Sequence, residues 1–215
     1  VNNILKDGSI PADYAVPKTL ATGPDGKDFR ETADTYLSTD KAKALEYYDK
    51  AKQELGKDSF TYKMIVEDTE AAQNVAQFIQ SEIQTNLPGV TIELEVLPKK
   101  NRVERLQNGE FELGLTRWGP DYADPMTYLD MWVTNNPNNY GFWSNAEYDS
   151  IIQSAKKGEL TLDQNARWEA LKKAEKIAMD DAVIFPVYQK GSAVMIKSNV
   201  SGIDFHSVGV PRIYK

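Results

Sequence analysis

Between residues 38 and 116 the apolar side chains recur first at helical and then at alternating intervals, and the change of period divides the segment into elements. In STDKAKALEYYDKAKQEL, residues 38–55, Ala44, Leu45, Tyr48, Ala51 and Leu55 fall at helical intervals. This predicts a helix capped by Ser38 or Thr39 and stopped at Gly56. FTYKMIV, 60–66, is rich in β-branched and aromatic residues and predicts a strand. Over 68–88, Ala72, Val75, Ile79, Ile83 and Leu87 restore the helical spacing, with Asp68 or Thr69 as cap and Pro88 as stop. TIELEVL, 91–97, alternates as a half-buried strand does. A strand, a long helix and a strand predict a right-handed parallel βαβ unit. A short helix over 99–108 and the alternating FELGLT, 111–116, add a third strand to that sheet.

The flanks are patterned differently. VNNILKDGS reads as the last turns of an amphipathic helix, with Val1, Ile4 and Leu5 on one side and Gly8 at its end, so the chain is expected to be cut from something longer. Residues 8–39 are rich in Pro, Gly, Asp and Thr without a sustained period, and they predict a long ordered loop rather than a packed element. Loops of that length are functional or are pinned against a neighbouring domain. Further helices are predicted over 126–132, 145–157 and 163–179, the last with Ala166, Leu171, Ala174, Ile177 and Ala178 inward. AVIFPVYQKGSAVMI, 182–196, predicts strands broken at Pro186 and Gly191, and the turn-rich segment from Asn199 onward is set apart as another packing unit.

A chain of 215 residues buries a core suited to one large domain or one and a half. With 41% hydrophobic and 27% charged residues it reads as a globular protein, and its net charge of -7 argues against a nucleic-acid partner. The one tight basic cluster, KKNRVERL at 99–106, is interrupted by Glu104 and reads as a solvated helix face. No apolar run approaches the roughly 20 residues that cross a bilayer. No leader stands at the start, so either the protein is cytosolic or its leader lies outside this sequence. The lack of cysteine excludes disulfides and thiolate metal sites, and it suits an oxidising compartment no better than it suits chance, so composition leaves the compartment open.

Candidate chemistry concentrates in RWGPDYADPMTYLDMW, residues 117–132. Asp121, Asp124 and Asp130 follow a strand end, where α/β sites form, and could in principle supply paired carboxylates. Asp124 precedes Pro125, however, and reads more simply as the cap of the helix at 126–132, with Asp130 on its wet face. The single histidine, His206, lies among turn residues and the spacing of a calcium loop is absent, so neither metal nor cofactor is expected. Neither a serine elbow nor a glycine-rich phosphate loop is present. Recognition is better supplied. Trp118 and Tyr122 offer broad faces with polar tips, Gly119 lets a ligand approach the backbone, and Asp121 offers a carboxylate for a cationic group. Such a pair strengthens as water leaves. Trp118 in the core with Asp121 capping a turn is the alternative, and the residues alone leave both open.

RWGPDYADP with YLDMW, then NNYGFWSNAEYDSII, ALKKAEKIAMDDAVIFPVY and the early DGSIPADYAVP are similar, in this order, to the oligopeptide-binding, family 5 solute-binding proteins of ABC importers. The resemblance runs from residue 2 to about 190. It implies an α/β fold of the periplasmic-binding-protein type II kind, a lobe with a mixed sheet and parallel βαβ units flanked by helices. It further implies that residues 1–190 are the C-terminal, second ligand-binding lobe. Residues 191–215 would be a return segment that packs toward a first lobe absent here, together with an extra domain. The implied function is not enzymatic: the protein captures extended oligopeptides between two lobes and delivers them to the transmembrane subunits of an ABC permease. It would act as a monomer outside the cell, held by a lipid anchor absent from this chain, or in a periplasm. The opening resembles Gram-positive members.

The resemblance also implies site roles. Asp121 receives the α-ammonium of a bound peptide, Trp118 lies beside that terminus, and the main chain from Arg117 to Gly119 pairs with the peptide as an added strand. Arg117 and Pro120 occupy positions that vary in the family, and members binding nickel, haem or sugars use the same scaffold. A peptide-pheromone receptor would use the same site, and a glycoside hydrolase acting through Asp121 and Asp124 is the enzymatic alternative.

Overall fold

The patterned middle of the chain and its irregular flanks build two different kinds of unit. A computed structural model describes residues 1, 3–191, 194–208 and 212–213. In chain order the elements are β1 (Ile10–Pro11), α1 (Phe29–Thr32), α2 (Lys41–Leu55), β2 (Phe60–Glu67), α3 (Glu70–Asn86), β3 (Val90–Leu97), α4 (Lys99–Asn108) and β4 (Leu113–Gly114). After them come α5 (Met126–Leu129), α6 (Ala146–Lys157), α7 (Gln164–Asp180), β5 (Tyr188–Gln189), β6 (Ile203–Asp204) and β7 (Arg212–Ile213). Val1–Lys6 with Ser38–Arg117 forms one compact unit, and Asp7–Leu37 with Trp118–Lys215 forms the other.

The first unit is α/β. β2 and β3 pair in parallel along their whole length, Phe60 opposite Val90 through Glu67 opposite Leu97, and β4 joins the other side of β2 at Met64 and Ile65, also in parallel. The sheet order is therefore β3-β2-β4, which includes the expected parallel βαβ unit and its third strand. Met64, Val66 and Ile92 meet Ala72 and Ala76 of α3 in its core, with Ile79 and Ile83 packed against them. β3 is an edge strand, and α3 covers it with amides. Gln80 donates to the Ile92 carbonyl at 2.6 Å, and the Ile92 N–H donates to Gln84 at 2.9 Å, so both polar groups of that backbone position are satisfied.

Two expectations need correction in this unit. Asp40 rather than Ser38 or Thr39 caps α2, its carboxylate accepting from the Lys43 N–H at 2.9 Å; a carboxylate also meets the positive end of the helix dipole. Of the helix's apolar positions only Tyr48 is buried, while Leu45 and Leu55 are exposed. The start of the chain forms a turn, with the Ile4 and Leu5 N–H groups both donating to the Val1 carbonyl, rather than a helix; Asn2 lies outside the described residues.

The second unit is built on α6 and α7. Asn145 and Asp163 cap these helices, each accepting from two N–H groups. Leu171, Ala174 and Ala178 of α7 are buried as the spacing predicts, together with Trp168, Glu175 and Met179. Residues 8–37 are irregular, as expected, but they are packed. Val16, Leu20 and Phe29 enter the same core as Leu129, Trp132, Tyr148, Ile152 and Trp168. Phe29 opens α1, an element the sequence reading did not expect, which Asp28 and Glu31 close with a capping box, and it meets the Trp168 ring edge-on at 5.1 Å.

The expected strands over 182–196 shrink to β5, paired antiparallel with β1. Gly191 is needed there because a Cβ would collide with the Gly8 carbonyl. Val194, Met195 and Ile196 are exposed and not in a strand, and Ser192 and Ala193 lie outside the described residues. β6 and β7 pair antiparallel in the last segment, of which residues 209–211 and 214–215 lie outside the described ones.

Candidate functional site

The longer segment of the second unit begins with the loop Trp118–Pro125, which leads into α5. Trp118 turns its indole N–H back onto the chain, donating to the Thr127 carbonyl at 3.0 Å, while the residue stays 37% exposed. Tyr128 donates its hydroxyl to the Trp118 carbonyl at 3.4 Å, and burial pushes that phenol up to about 12. The Asp121 N–H donates to the Thr127 hydroxyl at 2.9 Å. The Asp121 residue is exposed, and among the described residues its carboxylate has neither an ion pair nor a hydrogen bond. A Cβ placed on Gly119 would meet open space, so the backbone there is accessible from outside.

The other two acids of the stretch are committed. Asp124 accepts from the Met126 N–H at 2.9 Å, but it stands one position before Pro125, which holds the cap position of α5 in its place. It also receives both terminal nitrogens of Arg167, at 2.8 and 2.9 Å. Such a two-pronged charged pair is strong and geometrically fixed, and Arg167 is anchored further by donating to the Ala155 carbonyl at 2.9 Å. Asp130 sits in a 3-10 turn after α5 rather than within one long helix, and it pairs with Lys156 at 2.6 Å. A carboxylate held between a guanidinium and a backbone N–H is poorly placed to act as a general acid or a nucleophile. Tyr122, 46% exposed, has its phenol pushed up by burial first and then by the nearby carboxylates of Asp130, Asp124 and Asp121, so it remains a hydrogen-bond donor. With Asp124, Arg167, Lys156 and Gln164 it lines an open groove of about 420 Å³.

Arg117, the last residue of the first unit, is engaged within that unit. It donates to Glu67 at 2.9 Å, and the second oxygen of Glu67 receives Arg102 at 2.8 Å. Arg102 was expected on a solvated face, yet it is 3% exposed and also donates to the Leu115 carbonyl at 3.1 Å. The sequence therefore brought Trp118, Gly119, Asp121 and Tyr122 into one loop by adjacency. It did not reveal Thr127, Arg167 or Glu67. A threonine inside DPMTYL was a weak hint, whereas Asp124 and Arg167 stand 43 positions apart with nothing in a single sequence to join them. Among the described residues no group of acids and histidine is placed to hold a metal.

Residues 1–140 match the family described as bacterial extracellular solute-binding proteins, family 5 Middle. The chain belongs to this family, whose members bind substrates outside the cytoplasm. Its α/β architecture is that of the type II periplasmic-binding-protein fold. A dipeptide-binding protein of Lactococcus lactis is 31% identical over 94% of the chain, and the match covers 37% of that relative's length. The substrate-binding domain of an oligopeptide ABC transporter from Bacillus anthracis superposes with a TM-score of 0.87 at 41% identity, over 96% of this chain and 40% of that one. The pheromone receptor PrgZ, solved to show its mode of peptide binding, gives 0.82 at 34% identity over 98% of this chain and 41% of that one.

Proposed function

We propose that the chain is the second ligand-binding lobe, residues 1–190, of a peptide-binding protein that delivers oligopeptides to an ABC permease, with residues 191–215 returning toward the first lobe. Asp121 receives the peptide α-ammonium, Trp118 and Tyr122 flank it, and the main chain from Arg117 to Gly119 pairs with the extended ligand. One observation carries this reading. Of the three aspartates in the stretch, Asp124 and Asp130 are each bound to a cation, whereas the exposed Asp121 carboxylate is left without one among the described residues. An ammonium group meeting it beside an aromatic face gains a charge-assisted hydrogen bond. The protein works by binding, as a monomer tethered outside the membrane by a lipid or held in a periplasm, and carries out no chemistry on its ligand.

The likeness to PrgZ favours a second reading, a receptor for a peptide pheromone, which uses the same site and differs in the partner that follows. Both readings make Asp121 the ammonium partner. Asp121→Asn, introduced into the protein at the full length its gene encodes, is expected to weaken binding of peptides with a free N-terminus by roughly tenfold or more. Isothermal calorimetry against the same peptides N-acetylated provides the check. Equal affinities of the wild type for both forms, or an unchanged affinity in the variant, refute the ammonium role.

A further inference from the structure

The geometry points to Thr127 as the positioning residue of the ammonium site, a role that rests on the reading of Asp121 given above. Thr127 stands near the start of α5 and is 4% exposed. All three of its polar groups go to the loop before it. Its N–H donates to the Asp124 carbonyl at 3.1 Å. Its carbonyl accepts from the Trp118 indole at 3.0 Å, and its hydroxyl accepts from the Asp121 N–H at 2.9 Å. The two groups that a peptide terminus would meet, the Asp121 carboxylate and the Trp118 ring, are thus referred to one buried anchor.

That arrangement matters because both residues are exposed and lie on a loop. A loop carboxylate free to wander must be ordered when it pairs with a ligand, and the lost freedom is subtracted from affinity. Thr127 removes that cost beforehand. Its β-branched side chain has few rotamers, so the hydroxyl stays aimed at the Asp121 N–H. Valine would keep the shape and lose the acceptor, whereas serine keeps the acceptor and loses one methyl group.

The test uses the protein at its full encoded length, titrated with a mixed tri- to hexapeptide library and with the same library N-acetylated. The readout is the preference for the free amine, the ratio of the two affinities. General loss of stability lowers the folded fraction for both ligands alike and leaves this ratio unmoved. Thr127→Val is expected to reduce the preference by roughly tenfold, equivalent to one decade in the affinity ratio. Thr127→Ser should rescue it to within about threefold of the wild type, since the acceptor is restored. If Thr127→Val keeps the wild-type preference while Asp121→Asn loses it, the positioning role is overturned and the Asp121 reading stands. If the wild type shows no preference, or Asp121→Asn retains it, the Asp121 reading falls and the role of Thr127 falls with it. Should the valine variant fail to fold, Thr127→Ala removes the same acceptor without crowding and gives the same readout.

Discussion

Each unit holds a buried glutamate, and the two are satisfied in opposite ways. Glu67 in the first unit shares its oxygens between two guanidinium groups, Arg102 and Arg117, so the three charges sum to one positive. All three stand among regular elements: Glu67 ends β2, Arg102 lies on α4, and Arg117 follows β4. Glu175 in the second unit is 0% exposed and takes one guanidinium, Arg30, with the remainder of its capacity given to the Tyr36 hydroxyl and to the N–H groups of Ala15 and Val16 at 3.0 and 2.8 Å. Arg30 lies on the single turn of α1, and its other partners, Ala15, Val16 and Tyr36, come from the irregular chain around it. The difference teaches where a fold needs a buried charge. Strands close their backbone hydrogen bonds on one another, but a long irregular segment has no ladder, and its buried N–H groups must find side-chain acceptors.

Glu175→Gln breaks this contrast with the largest effect. The Arg30 side chain is 5% exposed, and with the amide oxygen kept on the Ala15 and Val16 N–H groups the variant turns an NH2 toward Arg30 and leaves its guanidinium without an acceptor, for which about 3–5 kcal/mol of lost stability is expected. Tryptophan fluorescence during denaturation is the measurement, because Trp118, Trp132, Trp143 and Trp168 all belong to this unit. A loss below about 1 kcal/mol would mean that hydrogen bonding alone holds the segment. The variant also isolates a pH dependence. Burial, the largest influence, raises the Glu175 carboxyl above its ordinary 4.5, against Arg30 and the two N–H groups, which lower it. A raised acid binds its proton more tightly folded than unfolded, so its contribution to stability is greatest below 4.5 and declines as pH rises from there through the folded value. The stability of the wild type relative to the variant should therefore shrink across that window and then level off. A difference that grows with pH would contradict the assigned direction.

Glu67→Gln comes next, at about 3 kcal/mol, the lower end for a broken buried pair, because Arg102 is stranded but the 40% exposed Arg117 side chain turns to water. Hydrogen exchange read by mass spectrometry should speed up at the carboxyl end of β2 and at Leu115. Unchanged protection there would show that the parallel ladder holds the strand ends without the charges.

The same contrast explains what a single sequence reveals. In the first unit periodicity is a direct image of packing. Ala72, Ile79 and Ile83 line one face of α3 because that face meets a sheet, and the strands were readable to within a residue at β2 and β3. Burial on α2 was not legible because helical spacing describes a possible face, and nothing in the sequence says that Leu55 is left uncovered. In the second unit the irregular segment follows no period, so its burial of Val16, Leu20 and Phe29 could not be inferred from spacing. The candidate site was legible where adjacency sufficed, Trp118 to Tyr122. It was hidden where a side chain from far along the chain decides the outcome, as Arg167 does by engaging Asp124 and thereby setting Asp121 apart.

Arg117→Ala sharpens the contrast with the smallest effect. Removing Arg117 leaves Glu67 paired one to one with Arg102, at 2.8 Å and with both side chains buried, so no charge is stranded. The lost pair is the half-exposed one, and such pairs contribute about 0–1 kcal/mol. Denaturant unfolding followed by far-UV circular dichroism should therefore show a change within about 1 kcal/mol, several times smaller than that of Glu67→Gln. Equal losses in the two variants would mean that Arg102 alone does not neutralise Glu67. The first unit would then depend on its buried glutamate in the same way as the second, with every partner required.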